Sequence, residues 1–310
     1  MRVPCRRIHA LAPVVALLGL LASAVQAGPP GAIGDLFVTN DIDNMTRQYD
    51  GASGAIVGPF FNSAAATGQM AIHYGATNNR VLIGHSAGGV EEFNASTGAY
   101  IKTYNAGGGW QWAGIYAPDG NVYIGSMTTN DVRKYDSTTG AFLSVLTPMD
   151  GPADMLIGPN GHLYICSYTN SYVKEVDATT GALIDTFSQT GGDRTNDIAF
   201  LPGGDILVTA MSSNVCYHYS PAKVLLGTFA GTGWGRPHGI DISPWDGNIY
   251  IADGITAQVH VFDPVTFTEL NPAFLLPGTG AKIVDVIFRP ESEPVSLDPQ
   301  SWGRIKGAYR

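Results

Sequence analysis

The chain is 310 residues long, 45% hydrophobic and 14% charged, with a formal net charge of −9 at pH 7. A chain of this length and composition can bury one large hydrophobic core or two modest ones. Its acidic balance argues against nucleic acids and anionic membranes as partners, because both are negatively charged.

Residues 1–27 have the pattern of a cleavable secretory signal. Three Arg stand near the start, the apolar run Val14–Leu21 follows, and the small residues Val25 and Ala27 precede Gly28. The run is short for a membrane span, so a retained anchor is only the alternative. Loss of the three Arg would leave 14 basic and 26 acidic residues. We therefore expect a secreted or periplasmic protein without membrane insertion.

Six short apolar strands recur along the chain at a nearly constant period. A turn such as Pro118-Asp119-Gly120 and another apolar run precede each later strand, and a polar stretch and a third strand follow. Four short strands per unit, joined by turn signals, are typical of a propeller blade. The six strands are Leu36–Val38, Val81–Ile83, Val122–Ile124, Leu163–Ile165, Ile206–Val208 and Ile249–Ile251, and their starts lie 45, 41, 41, 43 and 43 residues apart.

One turn is written almost identically in several units. The segment RKYDSTTGAFLSVL begins at residue 133 and KEVDATTGALIDTF at residue 174, 41 positions later. We expect the carboxylate of Asp136 to accept backbone N–H bonds and Gly140 to supply the positive φ that closes the turn. The turn recurs at 50–54, 94–98 and 177–181, and in altered form at 263–266. A calcium loop is disfavoured, because calcium takes roughly six to eight oxygen ligands.

The first unit lacks the innermost strand that the other units have. An unpaired apolar segment, Val284–Pro290, follows the last unit, and its residues from Asp285 to Pro290 align with Asp197–Pro202. Pairing of this segment with the first unit would remove exposed sheet edges. The sequence thus predicts an all-β fold, a six-bladed β-propeller over residues 28–290 closed by the C-terminal strand. We expect residues 291–310 to form a tail that packs on the propeller, with a secretion or docking signal as the alternative.

Two cysteines remain after residue 27, Cys166 and Cys216. They occupy strand positions that other units fill with small or apolar residues such as Gly125 and Ala252, which predicts burial. Two cysteines cannot be the framework of a chain this size. We expect free, unreactive thiols, with a disulfide as the alternative.

The segment PHGIDISPWDGNIYIADGITAQVHVFD, Pro237 to Asp263, carries a family resemblance. It is similar to the pattern P-x-G-I-x-x-x-x-x-G-N-I-Y-I-A-D…V-x-V-F-D of NHL-type six-bladed propellers, which are related to the YVTN-type and streptogramin-lyase-like propellers. The resemblance covers roughly residues 33 to 290. It implies the architecture but little about activity, since such propellers include lyases, lactonases and binding scaffolds.

Polar residues recur where the innermost strands begin. Five residues before the Pro that follows the strand, and in the second unit by its apolar pattern, the units read Gln69, Ala113, Asp154, Asp197, Gly239 and Asp285. Three carboxylates are therefore expected at one mouth of the channel, with Arg236, His238 and Asp253 on the same rim. Two interpretations stand. Each Asp caps backbone N–H groups of neighbouring strands, or Asp154, Asp197 and Asp285 share a divalent cation such as Ca²⁺ or Mg²⁺.

Two tryptophan-bearing loops are predicted on the same face. They are GGGWQW, with Trp110 and Trp112, and GTGWGRPHG, with Trp234. Exposed aromatic rings among glycines suit stacking on a glycan or gripping a peptide. Burial of the rings as a plug of the channel is the alternative.

The resemblance leaves the class of function open. The amidating lyases of this architecture hold zinc with three histidines, and only His238 is expected at an inner-strand channel position here. Streptogramin lyases and lactonases use a Glu beside their metal, and no Glu falls at a channel position. We therefore favour an exported binding module with its ligand site at the channel mouth, with a metal-dependent lyase or lactonase-type enzyme as the alternative.

Overall fold

The computed structural model describes residues 34–63, 67–75, 79–104, 109–188, 193–275 and 282–289. The predicted signal segment 1–27 and tail 291–310 lie outside these residues. Every regular element in the described part of the chain is a β-strand. No helix there is long and apolar enough to cross a membrane.

The strands follow one another at short intervals. They are β1 Leu36–Asn40, β2 Met45–Tyr49, β3 Ile56–Asn62, β4 Thr67–Tyr74, β5 Arg80–Ala87, β6 Val90–Asn94, β7 Tyr100–Tyr104, β8 Gln111–Tyr116, β9 Val122–Ser126, β10 Asp131–Tyr135, β11 Phe142–Pro148, β12 Pro152–Ile157, β13 Leu163–Ser167, β14 Tyr172–Val176, β15 Leu183–Ser188, β16 Thr195–Phe200, β17 Ile206–Ala210, β18 Val215–Tyr219, β19 Leu225–Phe229, β20 Pro237–Ile242, β21 Ile249–Asp253, β22 Gln258–Phe262, β23 Glu269–Asn271 and β24 Ile283–Phe288.

The sheets are antiparallel meanders in chain order. β12 to β15, β16 to β19 and β20 to β23 each form a four-stranded sheet. β4 to β7 and β8 to β11 form two further meanders, joined where β5 pairs with β8 at His85 and Gln111. The remaining sheet has the order β24-β1-β2-β3, and Leu36 of β1 lies opposite Phe288 of β24. The last described strand thus pairs with the first.

Burial falls from the inner strands to the outer strands of each sheet. The second strands β1, β9, β13, β17 and β21 are buried at every residue, and β5 is buried from Val81 to His85, because these strands lie between neighbouring sheets. The outermost strands other than β23 begin with exposed apolar residues, for example Phe142 and Leu143 in β11 and Leu225 in β19. The first strands of successive meanders contact one another, and β24 contacts both β20 and β4. Side chains of these inner strands therefore face a shared interior.

The repeated turn has the hydrogen bonds that its sequence predicts. Asp136 Oδ1 accepts the N–H groups of Thr138 at 3.0 Å and Thr139 at 2.6 Å, and Gly140 has φ 75°. Asp177 makes the same two bonds to the residues that follow it. A carboxylate and one glycine thus close this turn in unit after unit.

Cys166 and Cys216 are free and buried, as the sequence predicts. They lie on β13 and β18, inside the packed cores between sheets. Burial raises the pKa of both thiols well above the ordinary value, because the thiolate would lose its solvation.

Candidate functional site

Strand pairing shows which inner-strand residues are equivalent. Met155, Ile198, Val286 and Ile72 each lie opposite a central residue of the second strand in their sheet. The residues just before them are Asp154, Asp197, Asp285 and Ala71. The sequence assigned Gln69 to this layer, which is wrong by two residues. Gln69 pairs with His85 at the start of β4 and accepts a hydrogen bond from Thr46 Oγ1.

The three predicted carboxylates form one cluster. One oxygen of each of Asp154, Asp197 and Asp285 lies within 4.8 Å of the others. The side chains are buried, with exposed fractions of 2%, 6% and 4%. Within the described residues, this group meets the geometric requirement for a metal-binding set of three acidic side chains.

Asp197 and Asp285 also connect neighbouring inner strands. Asp197 accepts the N–H of Ile198 at 2.6 Å and, across to β20, that of Ile240 at 2.7 Å. Asp285 accepts the N–H of Val286 at 2.7 Å and, across to β4, that of Ile72 at 2.8 Å. The capping role considered from the sequence is therefore present at these two residues.

Asp154 differs from the other two carboxylates. Its Oδ1 accepts the N–H of Met155 at 2.6 Å and lies 2.5 Å from His73 Nε2. Its Oδ2 accepts no hydrogen bond from any described residue. One oxygen of this carboxylate thus has no hydrogen-bond partner among the described residues, and it is available to a ligand in the cavity that Asp154 lines.

His73 and Asp241 also belong to this site, although neither was predicted from the sequence. They lie two residues after Ala71 and Gly239 on β4 and β20, so their side chains point to the same interior. Asp241 accepts the N–H of Ile242 and, across to β24, that of Phe288 at 2.7 Å. Side-chain directions alternate along a strand, so the positions two residues after Ala71 and Gly239 are the sequence signal that predicts both residues.

The local electrostatics disfavour three ionised carboxylates. Burial, together with the charge of Asp154 and their mutual repulsion, raises the pKa of Asp197 and Asp285 well above the ordinary value. Burial raises the pKa of Asp241 to about 6. Burial lowers the pKa of His73, but the nearby Asp154 outweighs this effect and the pKa is raised overall. The site therefore favours a bound positive charge or retained protons.

The carboxylates form the floor of a cavity of about 260 Å³. Its walls continue toward the carboxyl ends of the inner strands, through Leu156, Ile157, Phe200 and Ile287, which are only partly buried. On the other side of the floor, the residues that precede the carboxylate layer, such as Ala153, Val284 and Trp112, are buried core residues. The cavity therefore opens toward the Pro-x-Gly turns. The sequence had placed the carboxylates at the opposite mouth, beside the tryptophan loops.

Gly239 makes room for this cluster. A Cβ at Gly239 would lie 1.9 Å from Asp285 Oδ1 and 2.6 Å from Asp285 Cα. The carboxylate thus occupies the space that a side chain would take on β20, which explains the glycine in a layer where other strands carry Asp or Ala.

The tryptophans occupy different environments. Trp110 is 48% exposed, as one interpretation of the sequence has it, whereas Trp112 and Trp234 are buried, as the alternative has it. Trp112 packs on Tyr168 with ring centroids 4.9 Å apart. Trp234 donates its indole N–H to the carbonyl of Asn214 at 2.7 Å. Only Trp110 of the three presents a ring to solvent.

The other predicted rim residues lie outside the cavity lining. Asp253 is fully buried and accepts the N–H groups of Gly235, Arg236 and Ile255, so it fixes the loop. Arg236 is exposed. His238 is 2% exposed, and neither ring nitrogen has a hydrogen-bond partner among the described residues. Burial and then the charges of Lys282 and Arg236 lower its pKa to about 3. His73, not His238, is the histidine that lines the cavity.

Comparison with solved structures places the chain among known folds. It matches a catalytically inactive virginiamycin B lyase from Staphylococcus aureus, determined with quinupristin, at TM-score 0.64 and 14% identity over 87% of this chain and 91% of that chain. A streptogramin B lyase matches at TM-score 0.61 and 15% identity over 86% and 92%. A nidogen/laminin complex matches at TM-score 0.69 and 11% identity over 82% and 98%.

These identities are low, so the likeness concerns the fold alone. No family description and no curated protein matches the sequence. The resemblance to streptogramin-lyase-like propellers is confirmed at the level of architecture. The chain has an all-β fold, a β-propeller of the same kind as these structures.

Proposed function

We propose that the chain is an exported binding module, a six-bladed propeller of the NHL type that takes a cationic ligand in its channel cavity. Two observations support six blades closed by the C-terminal strand. β24 pairs with β1, and the inner strands β4, β8, β12, β16, β20 and β24 contact one another in that order, with β24 in contact with β4.

The free Oδ2 of Asp154 carries the binding proposal. It lies in a buried layer with Asp197 and Asp285, below an open cavity that also contains Asp241. His73 is the one basic side chain among the lining residues. Ionised carboxylates at this spacing repel one another unless a cation or a proton compensates them. A bound cation would therefore stabilise the folded state.

Thermal unfolding in metal-free buffer, with and without a panel of cations, tests this proposal. The panel contains Ca²⁺, Mg²⁺ and a simple ammonium salt. We expect at least one cation to raise the Tm of the wild type. At a cation concentration a hundredfold above Kd, the free energy of unfolding should increase by about 2.7 kcal/mol. The double variant Asp154→Asn/Asp197→Asn should lose this response and keep its fold.

The matched control is Asp43→Asn/Asp185→Asn, which removes two carboxylates that pair with Arg47 and Lys223 at the surface. It should respond to the cation like the wild type. If the channel residues only cap strands, Asp154→Asn/Asp197→Asn will lower stability equally with and without every cation. That outcome would refute the proposal.

The loop face is a second part of the proposed binding module. Trp110 is exposed and contacts Trp112 edge to face, with ring centroids 6.3 Å apart. A rigid aromatic ring of this kind suits a glycan or a peptide ligand. A binding screen with both ligand classes tests it, with Trp110→Ala as the variant. If Trp110→Ala binds a ligand from the screen with unchanged affinity, the ligand does not contact Trp110.

One observation favours an enzyme as the second candidate. His73 lines the cavity and contacts Asp154, an arrangement that can serve general acid–base chemistry. A metal-dependent lyase or lactonase-type activity would then reside in the same cavity. Turnover of a lactone or cyclic depsipeptide that is lost in His73→Gln, with cation binding retained, would favour the enzyme.

Export is the last element of the proposal. The pattern of residues 1–27 supports cleavage after Ala27 and a secreted or periplasmic location. The intact mass of the protein recovered from the exported fraction should correspond to a chain starting at Gly28. A full-length mass would favour a retained anchor.

A further inference from the structure

We propose that the cation held in the channel cavity is a primary alkylammonium group, the charged end of a free amine or of a lysine side chain. This inference rests on the proposed cation-binding function and specifies its ligand. Four features of the cavity carry it: the donors and acceptors, the shape of the walls, the oxygens already in use and the side on which the cavity opens.

The floor offers acceptors from three different strands. Asp154, Asp197 and Asp285 project from β12, β16 and β24, and one oxygen of each meets the others within 4.8 Å. A primary ammonium has three N–H donors and no acceptor. Three carboxylates around one point match that number, and charge-assisted hydrogen bonds of this type are the strong ones.

The walls above the floor are largely apolar. Leu156, Ala199 and Ile287 follow the carboxylates by two residues on β12, β16 and β24 and line the cavity, with His73 and Asp241 as the polar members of the lining. The apolar side chains give no ligands to a hydrated metal ion, but they pack favourably on methylene groups. A cavity of about 150 Å³ can hold a benzene ring. The 260 Å³ here therefore has room for an ammonium group with a chain of several carbons.

Many carboxylate oxygens of the floor are already hydrogen-bonded. Both oxygens of Asp197 and both of Asp285 accept backbone N–H groups, and Asp154 Oδ1 accepts two partners. Calcium takes roughly six to eight oxygens at about 2.3–2.6 Å, which this set cannot supply without rearrangement. An ammonium needs only the remaining lone pairs and the free Oδ2 of Asp154.

The open side of the cavity allows a chain to enter. The wall residues toward the Pro-x-Gly turns, such as Ile157 and Phe200, are partly exposed, whereas the residues on the far side of the floor are buried core residues. A ligand therefore enters with its charged end first and leaves its other end at the turn face. An amine and a peptide lysine both have this shape.

Isothermal titration of the full exported chain with chosen amines tests the inference. The probes are pentylamine for a free amine and Nα-acetyl-lysine amide for a peptide side chain. Pentan-1-ol lacks the charge, and pentyltrimethylammonium keeps the charge but lacks N–H donors. We expect binding of at least one primary amine, and affinities at least about tenfold weaker for both control compounds. Binding of only one of the two primary amines identifies the source of the group.

Two variants and one surface control complete the experiment. Asp154→Asn should weaken amine binding by at least about tenfold, because the free acceptor loses its charge. Ala199 on β16 is equivalent to Leu156 on β12. Ala199→Leu should therefore fill part of the cavity and block the alkyl chain of the amine, while leaving the three carboxylates in place. The surface variant Asp43→Asn should bind like the wild type.

The outcomes separate this inference from the proposed function. Tight binding of Ca²⁺ or Mg²⁺ without binding of either primary amine would overturn the inference and retain the cation site. Equal affinity for pentyltrimethylammonium would overturn the donor-matching argument. The absence of any cation response would overturn both the inference and the proposed function.

Discussion

Replacement of Gly239 by Ala tests how tightly the carboxylate layer is packed. The new Cβ would lie 1.9 Å from Asp285 Oδ1 and 2.6 Å from Asp285 Cα. Gly239 does not have a positive φ, so the cost is steric and not conformational. The carboxylate must leave its place, and because the backbone of β24 also clashes, β20 and β24 must separate.

The expected cost has two parts. Overpacking a close-packed interior costs about 1–3 kcal/mol. Displacement of Asp285 also weakens its bonds to Val286 and Ile72, and each hydrogen bond contributes about 0.5–1.5 kcal/mol. We therefore expect Gly239→Ala to lower the free energy of unfolding by about 3–5 kcal/mol, and to weaken cation binding as the floor is distorted.

Urea denaturation monitored by tryptophan fluorescence measures this change. The matched control is Gly203→Ala, at a turn glycine without a positive φ, where an added Cβ would have no neighbouring atom within 4 Å. The control should differ from the wild type by less than about 1 kcal/mol. Addition of Asp285→Ala to Gly239→Ala should recover only part of the loss, because the contact with Asp285 Cα remains. Equal midpoints for Gly239→Ala and Gly203→Ala would refute the described packing.

Three further predictions concern pH, closure and the thiols. The pKa of Asp241 is raised from about 3.9 in the unfolded chain to about 6 in the fold, so its ionisation opposes folding. Between about pH 4 and pH 6 the wild type should therefore lose stability relative to Asp241→Asn in cation-free buffer as the pH rises, and parallel curves would contradict this. A chain ending before Val284 should aggregate or lose cooperative unfolding, because β1 loses its partner β24, whereas a chain ending at residue 290 should not; a soluble, cooperative shorter chain would argue against closure. Alkylation of the mature protein should add no label in the native state and two labels in denaturant, as measured by intact mass, because Cys166 and Cys216 are buried and free; a missing label in denaturant would indicate a disulfide.

Local features were predictable because their causes are local. The turn at Asp136–Gly140 depends on a carboxylate within reach of its own backbone and on one positive φ, so five residues determine it. The strands depend on alternation over a few residues, and their recurrence at 41 to 45 residues predicts the repeated unit. The convergence of Asp154, Asp197 and Asp285 followed from the same repeat, because equivalent positions on equivalent strands face one interior.

Only the tertiary structure decided which residues complete the site and which way it opens. Ala71, and not Gln69, lies in the carboxylate layer because of the register of β4 against β5. The apolar pattern of β4 looks the same when it is shifted by two residues, so the sequence does not reveal this register. The partnership of His73 with Asp154 joins strands 81 residues apart in the chain.

The open end of the cavity depends on packing between distant strands. Trp112 and Val284, on one side of the floor, are buried, whereas Leu156 and Ile287 on the other side are partly exposed. Strand alternation determines which side chains point into the channel. Whether these side chains fill the channel depends on their summed volumes and on the positions of all the inner strands. That information is distributed over the whole chain, and only the assembled structure contains it.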